Sequence, residues 1–193
     1  MGKTDSKNML GNLIIGYNEQ PGGGTVYRGG SHYLVIGPGH QYRSWGGIVA
    51  GRYNMTSGEW ASVIGGSWNT ASGSHASVTG GTGNSASGTH SSVTGGLDNT
   101  ASGGDATVTG GRDNTASGNY SSVIGGYNSI ASGDWASVTG GFLSTASGDY
   151  SSVAGGYSNE VSGDYDTVVG GDDQTCSGAG AIACGEGSFG LAD

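Results

Sequence analysis

The chain has 193 residues, of which 44 are glycine, 2 are phenylalanine and only 11% are charged, with a formal charge of −9. So much Gly, Ser, Thr and Asn beside so little Leu and Phe excludes an ordinary globular core, and burial has to come from stacking like units on one another. With 6 Lys and Arg in total, a nucleic-acid partner gripped by its phosphates is excluded as well.

Residues 1–44 read as an N-terminal cap with irregular coils. Met1 to Asn8 is too polar to open a secretory signal, so no signal peptide is expected in this chain. Leu13 to Gly16 (LIIG), Leu34 to Gly37 (LVIG) and Ile48 to Gly51 (IVAG) share a pattern with the later SVxG segments, and Gln20 to Gly24 reads as a loop. A solenoid should therefore begin before its period becomes regular, with heavier aliphatics closing the open end.

Residues 45–178 are a regular array. The stretch from Gly118 to Ser132, GNYSSVIGGYNSIAS, is one copy of its unit, and Val63, Val78, Val93, Val108, Val123, Val138, Val153 and Val168 return every 15 residues without an insertion. Paired glycines such as Gly80/Gly81 and Gly125/Gly126 exclude helix, while Val and Thr favour extended chain. The reading is all-β: a parallel β-solenoid or β-roll of 15-residue repeats, two short strands per coil, ten to twelve coils and about 50 Å long at about 4.8 Å per coil. Glycines from Gly58 to Gly178 in steps of fifteen mark corners that need positive φ or leave no room for a Cβ.

Alternation along each strand turns the Ala71 and Val78 columns inward. That interior contributes only about 2 to 4 kcal/mol per coil, so backbone bonds between coils and an Asn column (Asn54, Asn69, Asn84, Asn99, Asn114, Asn159) are expected to help. Residues 179–193 form a C-terminal cap or tail. Cys176 falls in the inward Ala column as a small hydrophobe, and with Cys184 it makes no disulfide framework.

Three sets of outward residues are candidate sites. A ring column, Trp60, His75, His90, Tyr120, Trp135, Tyr150 and Tyr165, offers a ligand platform or a chain-to-chain interface, with Trp45 and Asp105 in the same column. One Thr/Ser row runs through Thr70/Ser72, Thr100/Ser102, Thr115/Ser117 and Thr145/Ser147, and a second through Ser77/Thr79, Ser92/Thr94, Thr107/Thr109 and Ser137/Thr139. Such ladders can order water, which makes ice binding the alternative function. His75, His90 and Asp105 lie on successive rungs along parallel directions, so they do not converge on a metal, and none is expected. The carboxylates Asp164 and Asp166 read as solvated, the sequons at Asn54 and Asn119 are matches of pattern alone, and no catalytic set or cofactor site is visible.

Written as AxGxxSxVxGGxxNx, the unit resembles the head repeat of trimeric autotransporter adhesins, carried by the Ala71, Gly73, Ala76, Val78 and Gly80 positions and their repeats; similar solenoids occur in phage fibres. The resemblance implies a parallel β-roll displayed outside a cell, on a cell or virion surface. The resulting expectation is a non-enzymatic structural or adhesive module with a glycan or host-surface ligand and no membrane insertion. A homotrimer is also expected, because the ring column and the column Ile64, Thr79, Thr94, Thr109, Ile124, Thr139, Ala154, Val169 expose more apolar surface than a soluble monomer usually does.

Overall fold

A computed structural model describes residues 9–19, 27–178, 180 and 182–184. The expected loop at residues 20–24 and the terminal segments 1–8 and 185–193 lie outside the described residues. Between them the chain is a parallel β-solenoid. Its SerVal segments form a twelve-stranded sheet and its ThrAla segments a ten-stranded one, and each coil contributes one short strand to each.

Stacking keeps like on like. Val63 pairs with Val78, Val78 with Val93, and so on to Val153 with Val168, while Ala71, Ala86, Ala101, Ala116, Ala131 and Ala146 do the same in the second sheet. The irregular N-terminal strands join the same ladder. Leu13–Ile15 pairs with Leu34 to Ile36, Leu34 with Ile48, and Val49 with Val63, so coiling does begin before the strict period.

The interior is richer than Ala plus Val. Four columns point inward in each coil: the Val and Ala columns, the Asn column, and a small-residue column of Ala61, Ala76, Ser91, Ala106, Ser121, Ala136, Ser151 and Asp166. Asp166 is thus fully buried, whereas Asp164 is exposed, which corrects the reading of both as solvated. The reason is parity, since Asp166 occupies the position of Ala136 and Ser151 two strand residues before Val168. Cys176 stacks on Val161 inside the second sheet, as its column requires.

The buried Asn side chains from Asn54 to Asn159 are fully used. Each Oδ1 accepts the backbone N–H of the equivalent residue one coil on: Asn69 to Asn54 at 2.8 Å, Asn84 to Asn69 at 2.9 Å, Asn99 to Asn84 at 2.9 Å and Asn114 to Asn99 at 3.0 Å. Each Nδ2 donates to the carbonyl four residues back, as Asn99 does to Gly95, and again to the next coil, as Asn99 does to Gly111, both at 3.0 Å. One side chain thereby serves three backbone groups in two successive coils, where an unpaired buried polar group would cost about 1–3 kcal/mol.

Glycine is needed at the corners for two different reasons. A Cβ on Gly118 would lie 2.0 Å from the Gly133 carbonyl oxygen, so closeness of the next coil decides there. Gly111 has φ +86 and would meet the Gly126 oxygen at 2.3 Å, so conformation and space both decide.

Two substitutions test the Asn column. Asn99→Ala strips three backbone groups of their partner and should lower unfolding free energy by about 2 kcal/mol in denaturant melts. Ser144→Asn restores the column where serine interrupts it and should raise stability by about 1 kcal/mol. Equal stability of both variants and wild type would mean that the side-chain ladder contributes nothing.

Candidate functional site

Two surfaces follow from this interior, because whatever alternates with an inward column faces out. On the valine sheet the outward residues are Ser62/Ile64, Ser77/Thr79, Ser92/Thr94, Thr107/Thr109, Ser122/Ile124, Ser137/Thr139, Ser152/Ala154 and Thr167/Val169, the second of each pair being exposed. Every exposed side chain in that run carries a methyl group, and none of the sixteen is charged. Strand partners keep register from Val63 to Val168, so the rows repeat at about 4.8 Å along the solenoid and about 6.6 Å across it. Cross-coil hydroxyl contacts add order: Ser77 Oγ lies 3.2 Å from Ser92 Oγ, and Thr107 Oγ1 lies 3.3 Å from Ser122 Oγ.

The alanine sheet presents the other expected row. Thr70, Thr100, Thr115 and Thr145 are half-buried, and Ser72, Ser102, Ser117 and Ser147 beside them are exposed. This face therefore shows solvent mainly serine. Met55, Ile130 and an exposed Glu160 occupy the threonine column, so a carboxylate interrupts it.

The ring column is at a corner between the sheets. Trp60, His75, His90, Asp105, Tyr120, Trp135, Tyr150 and Tyr165 all have φ between 55 and 62, the left-handed region that side chains other than Gly, Asn and Asp seldom adopt. Stacking helps to offset that cost. Tyr120 and Trp135 are 4.1 Å apart at 7°, Trp135 and Tyr150 6.2 Å at 3°, and Tyr150 and Tyr165 4.9 Å at 1°. The rings turn their faces to one another and about half of each remains exposed. His75 and His90 are tilted at 43°, and His90 Nδ1 lies 3.5 Å from Asp105 Oδ1. Among the described residues no three His, Cys, Asp or Glu side chains are gathered so that they could hold a metal. Trp45 differs from the column, lying within the strand Trp45–Ala50, where its carbonyl accepts the Trp60 N–H at 3.0 Å.

A second ring stack is present that sequence reasoning missed. Tyr127, Phe142 and Tyr157 stack at 4.9 and 5.3 Å along a third ladder of single bridges that runs from Arg52 to Asp172. Their fifteen-residue spacing was the available signal. Of the two sequons, Asn54 is buried within the Asn column, whereas Asn119 is exposed and bonded to Asp134.

The comparisons with known proteins bear on the whole array. The family model described as grass antifreeze beta roll matches residues 86–185, just over half the chain. No curated protein matches the sequence. The family match overturns the adhesin-head resemblance and with it the adhesive function expected above. The two repeats share an inward Ala and corner glycines because any thin parallel roll needs them, whereas this unit is one residue longer at the GlyGly corner. An in-register parallel roll with Ser/Thr outward on both sheets, matched over that span, places the chain: it belongs to the grass antifreeze β-roll family.

Proposed function

We propose that the protein binds ice, without enzymatic activity, through the outward face of its valine sheet. The observation that carries this reading is the in-register, charge-free row of exposed methyl-bearing side chains, Thr79, Thr94, Thr109 and Thr139 among them, beside a row of hydroxyls. Methyl groups at a fixed repeat order the water over them, and hydroxyls anchor that water by hydrogen bonds. A layer so ordered can merge with a growing ice surface, whereas a charged side chain organises water about itself. The family match supports ice binding without distinguishing the two faces. The alanine face with its Thr70/Ser72, Thr100/Ser102, Thr115/Ser117 and Thr145/Ser147 row is the second choice, because Glu160 interrupts it and its exposed column is serine alone. Extracellular water, where ice begins to grow around cells, is the proposed place of action.

Substituting bulk on each face separates them. Thr79→Tyr with Thr94→Tyr and Thr109→Tyr should abolish most thermal hysteresis and ice shaping without lowering the melting temperature by more than a few degrees. Thr100→Tyr with Thr115→Tyr should leave most of the activity. The reverse outcome would assign the site to the alanine face, and retained activity in both variants would remove these faces from the mechanism.

Oligomeric state supplies an independent check. A homotrimer closed along the Ile64 to Val169 column would cover the face proposed to meet ice. Light scattering of the dilute protein should therefore give a monomer near 18.9 kDa, and a trimer that remains ice-active would show that the ice face lies elsewhere.

A further inference from the structure

We infer that His40 is a neutral-imidazole substitute for the buried asparagine of its coil, and that its protonation unlocks the N-terminal coils from the array. The inference does not rest on ice binding. It comes from the hydrogen bonds of the Asn column followed toward the N-terminus, where Asn54 donates its backbone N–H to His40 Nδ1 at 3.2 Å. Wherever the preceding regular coil carries an asparagine, that bond goes to its Oδ1, as from Asn69 to Asn54.

The second half of the match is as close. An Asn in the column donates Nδ2–H to the carbonyl four residues back, Asn54 to Ala50 and Asn69 to Gly65. His40 Nε2 lies 2.9 Å from the carbonyl of Ile36, also four residues back. The column continues one step further, because the His40 backbone N–H donates to Asn18 Oδ1 at 2.8 Å.

These partners dictate one protonation state. A backbone N–H can only donate and a carbonyl can only accept, so Nδ1 must be bare and Nε2 must carry the proton. A second proton on Nδ1 would point at the Asn54 N–H and break the link between the coil of His40 and the coil of Asn54. His40 is fully buried, with no solvent to take over the lost bond. The groups facing it are Asn18 and Arg28 from the preceding segment, the Ile36 carbonyl and Gly37 of its own turn, and Gly51 and Asn54 of the next coil. Arg28 is the charged member, a cation that cannot stabilise an imidazolium.

Burial first, and the Arg28 charge in addition, pull the imidazole below the usual histidine value, against backbone hydrogen bonds that act the other way. The unfolded chain takes up its proton near pH 6.5 while the folded one still resists, so the unfolded state binds more protons below that pH. Stability of these coils is therefore full above about pH 6.5 and falls as the solution is acidified toward the lower folded-state value.

His40→Asn provides the test, since an asparagine there reproduces both bonds and cannot titrate. Hydrogen exchange of the full-length protein is compared at pH 7.5 and pH 5.0 after correction for intrinsic rates. In the wild type the Asn54 amide should lose at least tenfold in protection on acidification, in His40→Asn it should stay protected, and the Asn99 amide should be unaffected in both. NMR of the wild-type imidazole should show the Nε2–H tautomer and a titration midpoint below the ordinary histidine value. Equal acid sensitivity of the Asn54 amide in the two proteins, or titration of His40 at or above the ordinary histidine value, would overturn the inference.

Discussion

Hydrogen bonding from each coil to the next is the interaction on which everything else in this molecule depends. A typical regular coil holds one Val, one Ala, one Asn or Ser and one further Ala or Ser inside, too little apolar surface to order fifteen residues unaided. What hydrophobic burial leaves short is supplied by backbone bonds along both sheets and by Asn side chains that each hold three backbone groups of two successive coils. Bonds of that kind form only if every coil repeats the geometry of the last. The invariant period, the corner glycines pressed against the carbonyl above them, and the small inward side chains all follow from that demand.

The external surface inherits its order from the same source. A side chain on a strand two residues wide cannot shift without moving the inward residue beside it, so exposed Thr79, Thr94 and Thr109 are held in rank by buried Val78, Val93 and Val108. Few soluble folds offer a water-facing row so closely tied to a core. The corners, by contrast, carry the residues that would spoil such a row. Rings, Asp98, Asp105 and Asp113 sit there in left-handed conformations, away from the outward positions of the valine sheet. Stacking of the rings on one another gives them a structural part in the roll, which accounts for aromatic columns on a protein whose proposed ligand is water.

Much of the architecture was legible because periodicity constrains inward positions strongly. The Val column, the Ala column with Cys176 in it, and the early strands at Leu13, Leu34 and Ile48 are each fixed by alternation and by likeness to their neighbours. Legibility ended where a residue keeps its place and changes its chemistry. Asp166 looks like a surface carboxylate until its parity with Ala136 and Ser151 is followed, and His40 has no fifteen-residue partner in the sequence, since the coil from His40 to Asn54 is one residue short of the regular period. Family assignment failed for a related reason: corner glycines and small inward residues are common to thin rolls of different function, so they carried the resemblance to adhesin heads. The outer residues, which differ between functions, are the ones packing leaves free. Both Thr/Ser rows were visible in the sequence, but only exposure showed that the valine sheet presents its methyl-bearing column to solvent and the alanine sheet its serines.

The central claim is that an ordered, charge-free face of this solenoid recognises a crystal surface. Growing a single ice crystal into a dilute solution of the fluorescently labelled protein tests it most directly. The account predicts that fluorescence is overgrown into the ice along discrete crystallographic planes, with a pattern set by the spacing of the face. Exclusion of the label from the growing crystal, as for a protein without affinity for ice, would contradict it.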